Sequence, residues 1–326
     1  MSNVRGQMSN VILVTGAAGF IGFHTARRLL DGGVGVVGID NFNDSYDVSL
    51  KEARAKILSE YPSFEMHRGD IEDRARLHTV FQASRFDRIC HLAARAGVRE
   101  SLLKPEEYVR SNVLGFITLL EEARASGIRD IVYASTSAVY GDTNPMPLRE
   151  DMRTDSPSSL YAATKKADEE IAYTYHHLYK MNFTGLRFFT VYGPFGRPDM
   201  ALFLFTKNIL EDRPIPVFGE GKMRRDFTYI DDIVDGVIAS LEKSFPYEII
   251  NLGRGASVAL EDFIPCIERC IGRRGKWEYA PMQPGDVRET HADISRARRL
   301  LRYEPKVSIE EGVRRFIEWY KEYYRI

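Results

Sequence analysis

The sequence predicts an α/β fold: a doubly wound parallel sheet with a smaller C-terminal α/β unit. Three observations lead there. Short, wholly apolar runs recur, such as residues 11–14 and 131–134, as in strands covered on both faces. Helical stretches alternate with these runs through the first 190 residues. Beyond that the alternation breaks, and Gly193-Pro194 and Arg197-Pro198 mark irregular backbone.

The elements follow in order. Val11-Ile12-Leu13-Val14 is the first strand, and a helix runs to about residue 30. Between them lies Thr15-Gly16-Ala17-Ala18-Gly19-Phe20-Ile21-Gly22. Gly16 allows a tight turn, Gly19 lets backbone approach a pyrophosphate at the helix N-terminus, and Gly22 lets helix and strand pack closely. The second strand, 34–39, ends in Asp40, and an acid there accepts hydrogen bonds from the adenosine ribose. Its charge repels a 2′-phosphate, and neither Asn41 nor Phe42 is an Arg, so the pattern points to NAD rather than NADP. A Rossmann-type unit is the expectation.

The third strand is expected over 64–67, followed by Asp70-Ile71 in reach of an adenine. A helix follows over 73–82, then a fourth strand over 86–92 with His91 in it as a core residue. That strand ends in Ala93-Ala94, small enough for close backbone approach. A long helix is expected over 106–126, with the poor helix former Asn112 in its middle serving the core or the helix geometry.

The fifth strand, 131–134, runs into Ser135-Thr136-Ser137, so three hydroxyls are expected where it ends. A second long helix, 158–180, carries Tyr161 and Lys165 on one side, spaced i, i+4. A phenol beside an ammonium ionises more easily, which makes Tyr161 a candidate base. Alone, this spacing also arises by chance on surface helices; the glycine turn gives it meaning. The second half offers a helix over 200–210, the short strand Pro214–Phe218, a basic helix around 296–301 and a final amphipathic helix over 309–324.

Composition narrows the classes. The chain has 326 residues with 45 basic and 46 acidic side chains, enough length for two lobes and no excess charge for phosphate-driven nucleic-acid binding. No apolar run spans a bilayer, and residues 1–7 lack a signal-peptide core, with Met8 as a possible second start. Cys90, Cys266 and Cys270 are too few for a disulfide framework and lack metal-site partners. A reduced, cytoplasmic compartment is expected.

Taken together, the glycine turn, Tyr-x-x-x-Lys and the later arginines resemble the extended short-chain dehydrogenase/reductase group that acts on nucleotide sugars. Asp40-Asn41-Phe42-Asn43-Asp44, the run 186–194, Gly196-Arg197-Pro198-Asp199-Met200 and the run 222–232 resemble UDP-glucuronate 4-epimerases. The likeness covers nearly the whole chain from about Asn10.

It implies a cofactor site of Gly16, Gly19, Phe20, Ile21, Gly22, Asp40, Asn41, Asp70, Ile71, Leu92, Ala93, Ala94, Asn112, Lys165 and Phe188. Tyr161 matches the catalytic base and Thr136 the hydroxyl sharing the O4 hydrogen bond, with Ser135 and Ser137 beside it. Thr190 and Arg197 match positions near the sugar carboxylate. Met200, Phe205, Arg225, Asp286 and Arg288 match the uridine diphosphate pocket. The resemblance also implies an NAD-binding domain over 8–190, with a return at 224–252. A nucleotide-sugar domain over 191–223 and 253–326, and a homodimer built on the two long helices, complete it.

The implied reaction is 4-epimerisation of UDP-glucuronic acid through a 4-keto intermediate. Dehydratases and UDP-glucuronate decarboxylases of the group usually carry an acid immediately before Val-Tyr-Gly, and here that position is Ala138. A decarboxylase, an epimerase of neutral UDP-hexoses and a non-catalytic dinucleotide binder stay open as alternatives.

Overall fold

The computed structural model describes residues 11–326; the possible start at Met8 lies outside them. Its strands in chain order are β1 (Val11–Thr15), β2 (Gly35–Asp40), β3 (Phe64–Arg68), β4 (Arg88–His91), β5 (Asp130–Thr136), β6 (Asn182–Phe188) and β7 (Thr190–Tyr192). They continue with β8 (Pro214–Phe218), β9 (Arg224–Arg225), β10 (Phe227–Tyr229), β11 (Tyr247–Leu252), β12 (Val258–Ala259) and β13 (Lys276–Ala280). Seven of these form one sheet in the order β11-β6-β5-β4-β1-β2-β3. Every pairing in it is parallel.

Burial explains why these runs became strands. In β1, Ile12 and Val14 join the core on one face of the sheet and Leu13 the core on the other. A strand covered on both sides has no use for a polar alternate. Strand order reverses between β1 and β4, and ligands of such sheets bind at the carboxyl ends flanking that point. The glycine turn and the loop after His91 are those two ends.

The structure redraws several expected elements. The fourth strand is shorter, Arg88–His91. The helix expected over 106–126 is three pieces: Pro105–Tyr108, a π-helical stretch Val109–Leu114, and Gly115–Ala125. Asn112 sits in the π turn, whose extra residue per turn aims its side chain inward. A further helix, Val98–Leu103, precedes them. The second long helix is Leu160–Tyr179, with Ser159 accepting from the Ala162 N–H at 3.2 Å as its N-cap.

Of the stretch 224–252, only β11 joins the main sheet. Helix Ile230–Leu241 packs on the first helix, Phe20–Asp31. The strands β9 and β10 pair elsewhere, with β12 and β7, and β8 pairs with β13. The final amphipathic helix, Ile309–Tyr324, buries Val313, Phe316, Ile317 and Tyr320 against that second half.

Candidate active site

The glycine turn is a close contact between three pieces of backbone. Gly16 has φ +70°, and its amide donates to the Ile39 carbonyl at 2.7 Å. A Cβ on Gly16 would lie 2.8 Å from the Ala93 nitrogen, and one on Gly22 2.0 Å from the Gly16 carbonyl oxygen. Any side chain at either position would push the turn off the sheet or off the helix. What remains is a cradle at a helix N-terminus, a fit for a diphosphate.

Asp40 frames the cradle. Its carboxylate accepts from the Ala18 amide at 3.0 Å and the Phe42 amide at 2.8 Å, and keeps lone pairs for a further donor. Burial raises its carboxyl above the usual range, against the pull of these hydrogen bonds and of Lys51. Asn41 donates to Asp70 at 2.7 Å, which joins the loops after β2 and β3. Ile71 is buried against Gly115.

The loop after β4 is tied from two sides. Thr15 Oγ1 accepts from the Leu92 amide at 3.2 Å and the Ala93 amide at 3.1 Å, which leaves its own hydrogen for His91 Nδ1 at 2.8 Å. Burial holds His91 neutral, with its ring stacked on Phe116, so it is a core residue as expected. Asn112 accepts from the Arg95 amide at 2.8 Å and donates to the Arg95 carbonyl and to Thr164 Oγ1. Fully buried, with both amide hydrogens engaged, it ties the loop after β4 to the helix of Thr164.

Helix Leu160–Tyr179 packs along β5 and the turn that follows it. Tyr161 is half-buried, its ring meeting the edge of Tyr108 at 6.2 Å. Lys165 shares its helix side, but here its ammonium is paired with buried Asp168 at 2.5 Å rather than with the phenol. Burial raises the Asp168 carboxyl to about 6, against the pull of Lys165.

The three hydroxyls do not act together. Ser135 and Thr136 both lie within β5, so pleating sends them to opposite faces. Ser135 donates to Glu169 at 2.7 Å, and Glu169 takes two prongs of Arg187 at 2.8 Å each. The Ser135 hydrogen is therefore committed to a buried carboxylate, which sets it apart from the hydroxyl cluster expected at the strand end. Thr136 accepts from the Ala138 amide at 3.2 Å and keeps its own hydrogen. Ser137 opens the 3₁₀ turn Ser137–Tyr140 and is half-buried.

Of the residues expected at the substrate, Thr190, Arg197 and Met200 line one small cavity. Arg197 donates to Asp199 and, through Nη2, to the Ala96 carbonyl at 3.1 Å. Phe205, expected in the uridine pocket, is packed in the core, as is Phe188. Arg225 donates to the Arg224 and Arg288 carbonyls, and burial lowers its pKa against the pull of Asp286. Asp286 is paired with Arg99 at 3.3 Å, and Arg288 is exposed.

Arg99, Arg95, Asp168, Glu169 and Arg187 were not foreseen. Asp168 and Glu169 stand three and four residues after Lys165, a helical spacing that could have revealed them. The arginines carry no such signal.

A dinucleotide cradle at the switch point, with a tyrosine–lysine helix beside it, defines a dinucleotide-dependent enzyme acting at a hydroxyl. Residues 12–253 match the model of the NAD dependent epimerase/dehydratase family. The chain belongs to that family.

It is 49% identical to a UDP-glucuronate 4-epimerase of Thermodesulfobacterium geofontis over 95% of this chain and 96% of that protein. It is 47% identical to UDP-glucuronate 4-epimerase 1 of Arabidopsis thaliana over 96% of this chain and 77% of that one. The crystal structure of UDP-glucuronic acid 4-epimerase from Bacillus cereus, in complex with UDP-glucuronic acid and NAD, superposes with TM-score 0.91 at 37% identity. That match covers 96% of this chain and all of the other.

Proposed function

We propose that the protein is an NAD-dependent UDP-glucuronate 4-epimerase, interconverting UDP-glucuronic and UDP-galacturonic acids. The observation that supports this is the glycine cradle at the switch point of the sheet, with the helix that carries Tyr161 packed along β5 and the turn after it, and Ala138 where an added acid would stand. The relatives named above share the activity.

The cradle fits NAD. Its turn holds the diphosphate, Asp40 the adenosine ribose, Asp70 and Ile71 the adenine side, and Lys165 the nicotinamide ribose. Bound NAD⁺ supplies the reversible two-electron oxidation of the sugar at C4. Tyr161 takes the O4 proton and later returns it, while Thr136 donates a hydrogen bond to O4. Arg225, Arg288 and Asp286 hold the uridine diphosphate, so the sugar turns over without leaving.

The 4-keto uronic acid is a β-keto acid and loses CO₂ if its carboxylate stands perpendicular to the ketone. Thr190, Arg197 and Ser137 hold the carboxylate against that. Ala138 offers no acid for dehydration.

We further propose a homodimer. Leu102 and Leu103 on helix Val98–Leu103, Val109 and Leu114 on the π-helical stretch, and Tyr173, Leu178 and Tyr179 on helix Leu160–Tyr179 are exposed apolar groups. A second copy of the same face would cover them. Among the described residues no helix is long and apolar enough to cross a membrane. All three cysteines are free thiols, in keeping with a cytoplasmic setting.

The test is proton NMR of purified protein with UDP-glucuronic acid. UDP-galacturonic acid rising to an equilibrium mixture is expected. UDP-pentose with CO₂ as the main products would make the protein a decarboxylase.

A further inference from the structure

Arg197 is the cation assigned above to the sugar carboxylate, yet its carboxylate-binding edge is already taken. Nε donates to Asp199 Oδ1 at 3.0 Å and Nη2 to Asp199 Oδ2 at 2.7 Å, the two-pronged match that a guanidinium makes with a carboxylate. The two partners differ in freedom. Arg197 is anchored to the Ala96 carbonyl and its side chain is 21% exposed, whereas that of Asp199 is 50% exposed. The acid is the member free to swing into water.

Arg197 also stands at the reacting end. A carbon placed on Gly97 would lie 3.6 Å from Arg197 Nη2 and 3.5 Å from the Tyr108 hydroxyl. Tyr108 in turn packs edge-on against Tyr161. A carboxylate brought there by a sugar would meet Nη2, a nitrogen that Asp199 already uses.

We propose that Asp199 is a built-in stand-in for the substrate carboxylate, holding Arg197 until a uronic acid displaces it and taking Arg197 back when the sugar turns over. This rests on the reading of the site as a uronic acid site. A guanidinium offers two forks, Nε with Nη2 and Nη1 with Nη2. Both hydrogens of Nη2 are engaged, by Asp199 and the Ala96 carbonyl, so a second carboxylate gains a two-pronged grip only by displacing one of them, and Asp199 is the mobile one. The exchange keeps the arginine charge compensated in both states, so the sugar can leave Arg197 to present its other face while Thr190 and Ser137 remain to hold its carboxylate. A neutral sugar has nothing to displace Asp199 with.

The experiment is calorimetry on the full-length, NAD-loaded protein in a Tyr161→Phe background, which stops turnover. UDP-glucuronic acid and UDP-glucose are titrated with Asp199 intact and in Asp199→Asn. A half-exposed ion pair is a weak competitor, so Asp199→Asn should tighten UDP-glucuronic acid by about two- to fivefold. UDP-glucose binding should not change. Unchanged or weaker binding of the acid, or an equal change for both sugars, overturns the proposal. If the Asp199-intact protein fails to prefer the acid at all, the uronic acid reading itself falls, a separate outcome.

Discussion

Replacing Glu169 by Gln keeps the shape of the side chain and removes its charge. Glu169 takes both prongs of Arg187 and the Ser135 hydroxyl, and all three residues are buried. The variant leaves a buried guanidinium without a counter-charge, a loss of about 3–5 kcal/mol. Arg187 keeps its place over the Tyr140 ring at 4.7 Å and a contact to the Glu150 carbonyl, which argues for the lower end, about 3 kcal/mol.

At about 2 °C per kcal/mol for a chain of this length, Tm falls by about 6 °C. The pH dependence gives a second check. Burial pushes the Glu169 carboxyl up, but Arg187, helped by Ser135 and Lys166, outweighs it and the net shift is below the ordinary 4.5. The folded protein then binds fewer protons at this site than the unfolded chain, so the stabilisation is full above pH 4.5 and is lost as pH falls through the lowered value. Gln does not titrate. Urea unfolding should show a full gap between the two proteins at pH 7 that narrows below pH 4.5. A Tm loss under about 2 °C, or a gap that does not narrow in acid, would refute the reasoning.

Four further outcomes are expected. Tyr161→Phe should lower kcat by at least about 100-fold while UDP-glucuronic acid still binds, measured by turnover and calorimetry. Thr190→Ala should release more CO₂ and UDP-pentose per turnover; no increase would remove Thr190 from the carboxylate contacts. His24 donates to the Pro194 carbonyl, and burial lowers its pKa to about 4, so the folded protein binds fewer protons here than the unfolded chain and loses stability as pH falls from 6.5. His24→Asn should therefore lose about 2 kcal/mol less than the parent between pH 7 and pH 5, by urea unfolding. Leu103→Glu with Leu178→Glu should halve the mass seen by light scattering, and an unchanged mass would reject the dimer face.

The sheet was legible where a strand buried on both faces carries a wholly apolar run, as β1 and β5 do in four residues each; the edge strand β3, with Glu65, His67 and Arg68, carries none. The glycine turn was legible because only glycine survives contacts of 2.0–2.8 Å with neighbouring backbone. Side-chain direction was the harder matter. Ser135-Thr136-Ser137 reads as one hydroxyl cluster if the strand stops at Ala134, but β5 runs two residues longer. Those two residues, by pleating alone, turn Ser135 towards Glu169 and leave Thr136 on the other side.

The same limit explains Asn112 and Lys165. A helix pattern shows which residues share a face, not where a π turn rotates that face or which acid claims an ammonium. Asn112 reads from sequence as a residue serving the core or the helix geometry, but its partners, the loop at Arg95 17 residues earlier and Thr164 52 residues later, carry no local signal. Lys165 was read with Tyr161, yet Asp168, one position nearer along the helix, takes it. Chemistry was thus legible where it depends on backbone and spacing. It was hidden where a buried charge had to choose among partners, because that choice is made by the protein interior, where leaving a charge unpaired costs most.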